Sequence, residues 1–241
     1  MIFRWSIYGE AIKNIELLQY SINSFRKQFG DKHEYIVYTD KPEMVNVNAT
    51  VRQIYNDSLF YVVSEAPWMK WYPSARLDIT QTEIYIDYDV FLIKYPQEID
   101  EFIYNPKLKF AILDEFNGKR WQHGIMYKFA PVGTPYVNSG FFIQKAGHDI
   151  SFDFIKQLSW WKANIKPEEQ THHDEQGSLA IALGKHLDEL YILPKDKYML
   201  IGKTENAEIN NLKDVILFHA VYPDHPAFYK FKGSLDKVLY E

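Results

Sequence analysis

Asp87 and Asp89 stand two residues apart in the run Glu83-Ile84-Tyr85-Ile86-Asp87-Tyr88-Asp89-Val90-Phe91-Leu92. On a β-strand, side chains two apart share a face, so both carboxylates aim at one point. If the flanking apolar runs are buried, the acids need partners, because a lone buried charge is very costly. Carboxylates with open coordination positions suit Mg²⁺ or Mn²⁺ carrying a substrate diphosphate. About one Asp-x-Asp is expected by chance at this aspartate content, so the triplet's placement at the end of an apolar strand carries the reading. His219 ends the apolar run Val215-Ile216-Leu217-Phe218. As a neutral imidazole it completes a three-ligand site with the two acids; otherwise it is a hydrogen-bonded core histidine.

Four further groups have chemistry to offer. His172-His173-Asp174-Glu175-Gln176 precedes a helix rich in small residues. Adjacent histidines point apart on a helix, so this is no zinc motif. Asp174 and Glu175 suit a helix N-terminus on electrostatic grounds alone. The functional alternative sets one of them beside a substrate as a hydrogen-bond acceptor or a stabiliser of transition-state charge. Asn138-Ser139-Gly140 is either a turn or a polar edge, with Gly140 permitting close approach of a ligand. Arg76 lies shortly before the acid-bearing strand, where it pairs with a diphosphate, an Asp or a surface acid. Lys230 and Lys232 follow His219 and reach either a leaving phosphate or only solvent.

These residues need a frame. Residues 2–8 read as a strand turned by Gly9, and residues 11–28 as a helix with Ile12, Ile15, Leu18, Ile22 and Phe25 in one stripe. Residues 34–38 form a second strand, 50–55 a weaker third, and 83–92 a fourth. Pro67 and Pro73 argue against one unbroken helix in 64–79. Such a βα order predicts parallel strands with helices on their faces and ligands outside the strand carboxyl ends. Those ends carry Tyr8-Gly9, Thr39-Asp40 and Asp87-Tyr88-Asp89. Further on, 109–113 and 137–144 read as strands around a polar loop, 114–136. Asp149 caps a helix holding Trp160 and Trp161, another helix spans 174–184, 215–218 is a strand, and the tail after Gly233 is helical.

Composition narrows the classes. The chain has 241 residues, 46% of them hydrophobic and 24% charged, which excludes global disorder. A net charge of −5 argues against a nucleic-acid surface. Cysteine is absent, so disulfides, thiolate metal sites and cysteine nucleophiles are excluded. No apolar stretch is long enough to span a bilayer, and the first residues lack the form of a signal peptide, so a cytoplasmic location is expected. Aromatic residues reach 17%. They form either a ring-rich core or a surface that stacks on sugars and bases. No repeat or linker interrupts the chain, which reads as one domain, 1–241: a nucleotide-binding-like half, 1–92, and an acceptor-side half, 93–241.

The order of these motifs resembles that of GT-A-fold nucleotide-diphospho-sugar glycosyltransferases, most of all the glycogenin-like and lipopolysaccharide galactosyltransferase families. The likeness rests on Tyr38-Thr39-Asp40, Arg76-Leu77, Ile84 through Phe91, Val137-Asn138-Ser139-Gly140-Phe141-Phe142-Ile143, His173-Asp174-Glu175-Gln176 and His219. It implies an α/β, Rossmann-like, mixed but mostly parallel central sheet with helices on both faces. It implies Mn²⁺ or Mg²⁺ held by Asp87, Asp89 and His219, with Asp87 also touching ribose. It places Tyr8, Asp40 and Arg76 on the nucleotide side, Asn138, Ser139, Gly140 and either Asp174 or Glu175 at the sugar, and Lys230 at the leaving phosphate. The glycine and Lys-Pro-Trp that follow the histidine in glycogenin-like chains are absent here, which weakens the Lys230 assignment. The implied activity moves a sugar, UDP-hexose being the expected donor, to a glycan, lipid-linked or protein acceptor with retention of configuration. A sugar-1-phosphate nucleotidyltransferase would need a glycine-rich basic loop where Tyr8-Gly9-Glu10-Ala11 stands. A non-catalytic sugar- or nucleotide-binding protein of the same fold is the other alternative.

Overall fold

Alternation in the first strand sets up the layers of the computed structural model, which describes residues 1–55, 65–115 and 120–241. In β1 (Ile2–Ile7), Phe3, Trp5 and Ile7 join the core on one face of the sheet, and Ile2 joins the core on the other. Helix α1 (Ile15–Phe29) lays Leu18, Ile22 and Phe25 on the first face. Burying each such side chain stabilises the fold by roughly 1.5–3 kcal/mol. The sequence predicts this helix over 11–28. Instead a 3₁₀ turn (Gly9–Asn14) precedes it, because Gly9 leaves the strand at φ +60°, outside helical geometry.

The main sheet adds β2 (Glu34–Thr39), β3 (Thr50–Gln53), β4 (Glu83–Ile86), β6 (Phe110–Asp114), β7 (Val137–Gln144) and β8 (Leu190–Leu193) to β1. Its order is β3-β2-β1-β4-β7-β6-β8. Only β7 runs against its neighbours, antiparallel to β4 and β6; the other pairs are parallel. α1 and α3 (Gln97–Tyr104) cover one face, and α4 (Ser151–Asn164) and α5 (Asp174–Leu183) the other. The mixed, mostly parallel α/β sheet is therefore as expected.

The expected strand 83–92 is two strands in two sheets. β4 ends at Ile86, the chain turns at Asp87-Tyr88-Asp89 with Val90 N donating to Asp87 O (3.2 Å), and β5 (Val90–Leu92) enters a second sheet. There it pairs antiparallel with β10 (Leu217–Ala220), which runs parallel to β9 (Tyr198–Ile201). The acids thus occupy a turn, not one strand face. The apolar character of both halves hides the break in the sequence. Helix α6 begins at Pro226, well before Gly233, and packs Phe228, Phe231 and Leu235 against this small sheet. Helix α3 and strands β8 and β9 were not expected.

The region 64–79 holds only a short helix, α2 (Glu65–Met69), with Pro67 in its first turn. Ser64 and residues 116–119 of the loop 114–136 lie outside the described residues. Trp5, Trp68, Trp71 and Trp161 are buried in the core, whereas Trp160 is exposed.

Candidate active site

A cleft of about 1200 Å³ opens at the carboxyl ends of β1 and β4, where Ser6, Tyr8 and Asp87 line it. The amino end of β7 enters the same place because β7 is antiparallel to β4: Asp87 N donates to Gly140 O (2.8 Å). Asn138, Ser139 and Gly140 thus meet the Asp-x-Asp turn. The α5 residues Glu175 and Gln176 come from one side and His219 of β10 from another. Among the described residues, six carboxylates line the cleft against two lysines, Lys70 and Lys203. For an anionic ligand, a cation would offset the repulsion of such a floor.

Asp87, Asp89 and His219 bring ligand atoms within 4.8 Å of one another, the expected trio. The pairing of β5 with β10 sets His219 opposite Val90, next to Asp89. Asp89 Oδ1 lies 3.2 Å from His219 Nε2. An octahedral cation with bonds of about 2.1 Å sets neighbouring ligand atoms about 3.0 Å apart, so this pair fits one. Two hard carboxylates and one imidazole, with no thiolate, suit Mn²⁺ or Mg²⁺. Burial disfavours charge on Asp89, but His219 and then His225 outweigh it and hold the carboxyl well below its usual range. His219 is pushed the opposite way: burial lowers it, and Asp89 more than compensates.

Lys70 is the cation inside the site. Its Nζ lies 3.0 Å from Asp87 Oδ1 and 3.9 Å from Glu175 Oε2, and donates to Ser139 Oγ at 3.0 Å. Burial lowers the ammonium, but Asp87 and Glu175 together keep it above its usual value, hence charged. Glu175 also accepts Trp71 Nε1 (2.6 Å) and Ser139 Oγ (2.9 Å), while burial pushes its carboxyl up. The backbone carrying Lys70 is held from below. Arg4 of β1 donates to the carbonyls of Lys70 and Tyr72, and its own charge is met by Glu83 at 2.6 Å. Removing one partner of such a buried pair costs about 3–5 kcal/mol.

A second polar group adjoins the metal trio. Glu115 Oε2 accepts Asn138 Nδ2 (3.1 Å) and Gln176 Nε2 (3.4 Å). Burial pushes its carboxyl up to about 7, against the pull of both amides.

Other expected residues fall elsewhere. Arg76 points away from the cleft, donating to the carbonyls of Lys145, His148 and Gln81, with Glu83 3.6 Å from its Nε. Asp174 is fully buried and accepts Thr171 N (2.8 Å) and Met126 N (3.3 Å), so it holds the start of α5. Asp40 accepts Gly9 N (3.1 Å), tying down the turn after β1 from behind the cleft. Lys230 is exposed and donates to Ala207 O. Tyr8, Asp87, Asn138, Ser139, Gly140 and Glu175 all line the cleft. Lys70, Glu115 and His225 were not anticipated, and Gln176 only as the last residue of the motif His173-Asp174-Glu175-Gln176. Lys70 left a signal, a lone cation in Trp68-Met69-Lys70-Trp71; the others left none stronger than a polar residue at an element's end.

No protein-family model matches the chain, and no curated protein matches it in sequence. Solved structures do match it in fold. An active-site glutamine-to-glutamate mutant of LgtC superposes with a TM-score of 0.63 and 13% identity, covering 97% of this chain and 96% of LgtC. The galactosyltransferase LgtC in complex with donor and acceptor sugar analogues gives 0.64 and 12%, covering 99% and 95%. At that identity the likeness is one of fold: the chain has the GT-A architecture.

Proposed function

We propose that this GT-A-fold chain is a metal-dependent glycosyltransferase that moves a hexose from a UDP-sugar to a hydroxyl on a glycan, lipid-linked or protein acceptor, with retention. The observation that carries the reading is the convergence of Asp87, Asp89 and His219 on the floor of the cleft. Its volume of about 1200 Å³ exceeds the roughly 300–1,000 Å³ usual for one ligand, which suits a donor and an acceptor together. The neighbouring fold whose crystals hold donor and acceptor sugar analogues supports the same assignment.

Roles follow from position. Tyr8 and the turn held by Asp40 receive the nucleoside. Asp87, Asp89 and His219 hold the metal, which when bound supplies Lewis-acid stabilisation of the departing diphosphate. Lys70, charged and beside Asp87, offers a donor to a phosphate or sugar oxygen. Ser139, Gly140, Asn138, Glu175 and Gln176 address the sugar. In the reaction the anomeric carbon–phosphate oxygen bond breaks, a bond to the acceptor oxygen forms, and the acceptor's proton leaves with the diphosphate or a carboxylate of the site. Residues 1–241 act as one domain, 1–92 serving the nucleotide and 93–241 the sugar and acceptor. A cytoplasmic location belongs to the same proposal and is tested by cell fractionation.

UDP release from UDP-hexoses, with Mn²⁺ and with a chelator, tests the proposal. Losing several kcal/mol of metal assistance lowers turnover by about a thousandfold or more, the outcome expected for Asp89→Asn. A fully active Asp89→Asn protein removes the metal assignment.

A further inference from the structure

The hydrogen bonds behind the metal trio determine which atom of each ligand is free. Asn138 Oδ1 accepts Gly140 N at 3.0 Å. A backbone N–H only donates, so the amide oxygen, not its nitrogen, occupies that position. The same oxygen lies 3.1 Å from His219 Nδ1, so Nδ1 carries the proton there. With Nδ1 protonated, the nitrogen left to bind a metal is Nε2, the atom that faces Asp89 Oδ1. The Asn138 amide is fixed in turn from its other end, where Nδ2 donates to Glu115.

Asp89 has a matching partner. His225 Nδ1 lies 2.8 Å from Ala220 O, which can only accept, so this nitrogen is also protonated. It lies 3.0 Å from Asp89 Oδ2, the carboxylate oxygen turned away from His219. The other ring nitrogen, Nε2, meets the Tyr88 hydroxyl at 3.4 Å, a group able to donate to it. His225 sits at φ +48°, an uncommon backbone position for a side chain with a Cβ, and is 4% exposed.

We propose that Asn138 and His225 are positioning residues that fix His219 Nε2 and Asp89 Oδ1 as the metal-facing atoms, Asn138 by accepting the hydrogen bond from Nδ1–H and His225 by donating to Oδ2. This rests on the metal assignment above, and it makes Asp89 a one-oxygen ligand. Outer partners of this kind change metal affinity by about 10–100-fold when removed. Asn138 therefore serves the metal as well as the sugar edge.

Calorimetric titration of Mn²⁺ alone into the metal-free protein separates the two levels. Wild type binds and Asp89→Asn does not; a wild type that fails to bind overturns the metal assignment and this inference with it. Asn138→Ala and His225→Phe each weaken Mn²⁺ by about 10–100-fold. Asn138→Asp, which keeps an oxygen against Nδ1 but loses the donor to Glu115, and His225→Gln, which keeps a donor, each restore part of the binding. Thermal melts of the metal-free variants identify any that are unfolded, and for those the conservative variant decides. Wild-type affinity in folded Asn138→Ala and His225→Phe, with Asp89→Asn still silent, overturns the inference alone.

Discussion

Gly140 shows how closely the residues of the site are fitted. A Cβ added there would lie 2.6 Å from the His219 ring and 2.9 Å from Asn138 Oδ1. Gly140→Ala therefore pushes the imidazole off Asp89, and Mn²⁺ affinity falls about tenfold or more in calorimetry; unchanged affinity means the ring has room to move. Besides lining the cleft, this glycine lets the His219 ring approach closely. Glu115 yields a prediction in pH. Its carboxyl is pushed up to about 7 by burial, so the folded protein keeps a proton that the unfolded chain loses near 4.3, roughly the ordinary value. The stability held by the neutral form is complete below about pH 4 and is lost as pH rises through about 7. Glu115→Gln has no such proton to lose, so it gains on wild type over that window, by on the order of 3–4 kcal/mol. Melting both proteins across the range checks this, and a pH-independent difference contradicts it. Asp87, Asp89 and His219 were legible because each ends an apolar run. Lys70, Glu115 and His225 were not, because their roles come from contacts 17 or more residues away in sequence, as Lys70 with Asp87 shows.

Elements bring these residues together, and α5 is the most constrained of them. Each of its ten residues, Asp174 through Leu183, is buried. Its approach to the 3₁₀ turn Arg120–His123 leaves no space at Gly177, where a Cβ would meet the His123 carbonyl oxygen at 2.1 Å and Met126 Cβ at 2.9 Å. Helix propensity alone favours Gly177→Ala by roughly 1 kcal/mol. The clash with backbone reverses the sign, and a net loss of about 1–3 kcal/mol is expected in denaturant unfolding; a more stable variant means α5 can slide. The sequence located α5, β7 and the first two strands closely: each strand carries an apolar run such as Phe141-Phe142-Ile143, and α5 is a small-residue and apolar run led by acids. It merged β4 and β5 because a sheet change at Asp87-Tyr88-Asp89 leaves no mark in hydrophobicity. Arg76 misled for a related reason: adjacency to the acid strand suggested a phosphate, whereas Glu83 and three carbonyls claim its guanidinium inside the fold.

For the whole molecule, the meeting of the two sheets builds the candidate site. The main sheet delivers Asp87 and the β7 edge, and the small sheet delivers His219, so the metal trio exists only where the sheets meet. Under the proposed function, the six carboxylates lining that junction among the described residues are why a nucleotide diphosphate would enter together with a cation. The overall likeness to LgtC, at 12–13% identity, fixes the architecture and leaves the chemistry to these residues. Calorimetric titration of the intact protein with UDP, GDP and CMP, each with and without Mn²⁺, tests this most directly. Tight binding of UDP that depends on Mn²⁺ is the expected result. Equal binding with and without the metal, or no binding of any nucleotide by folded protein, contradicts the account.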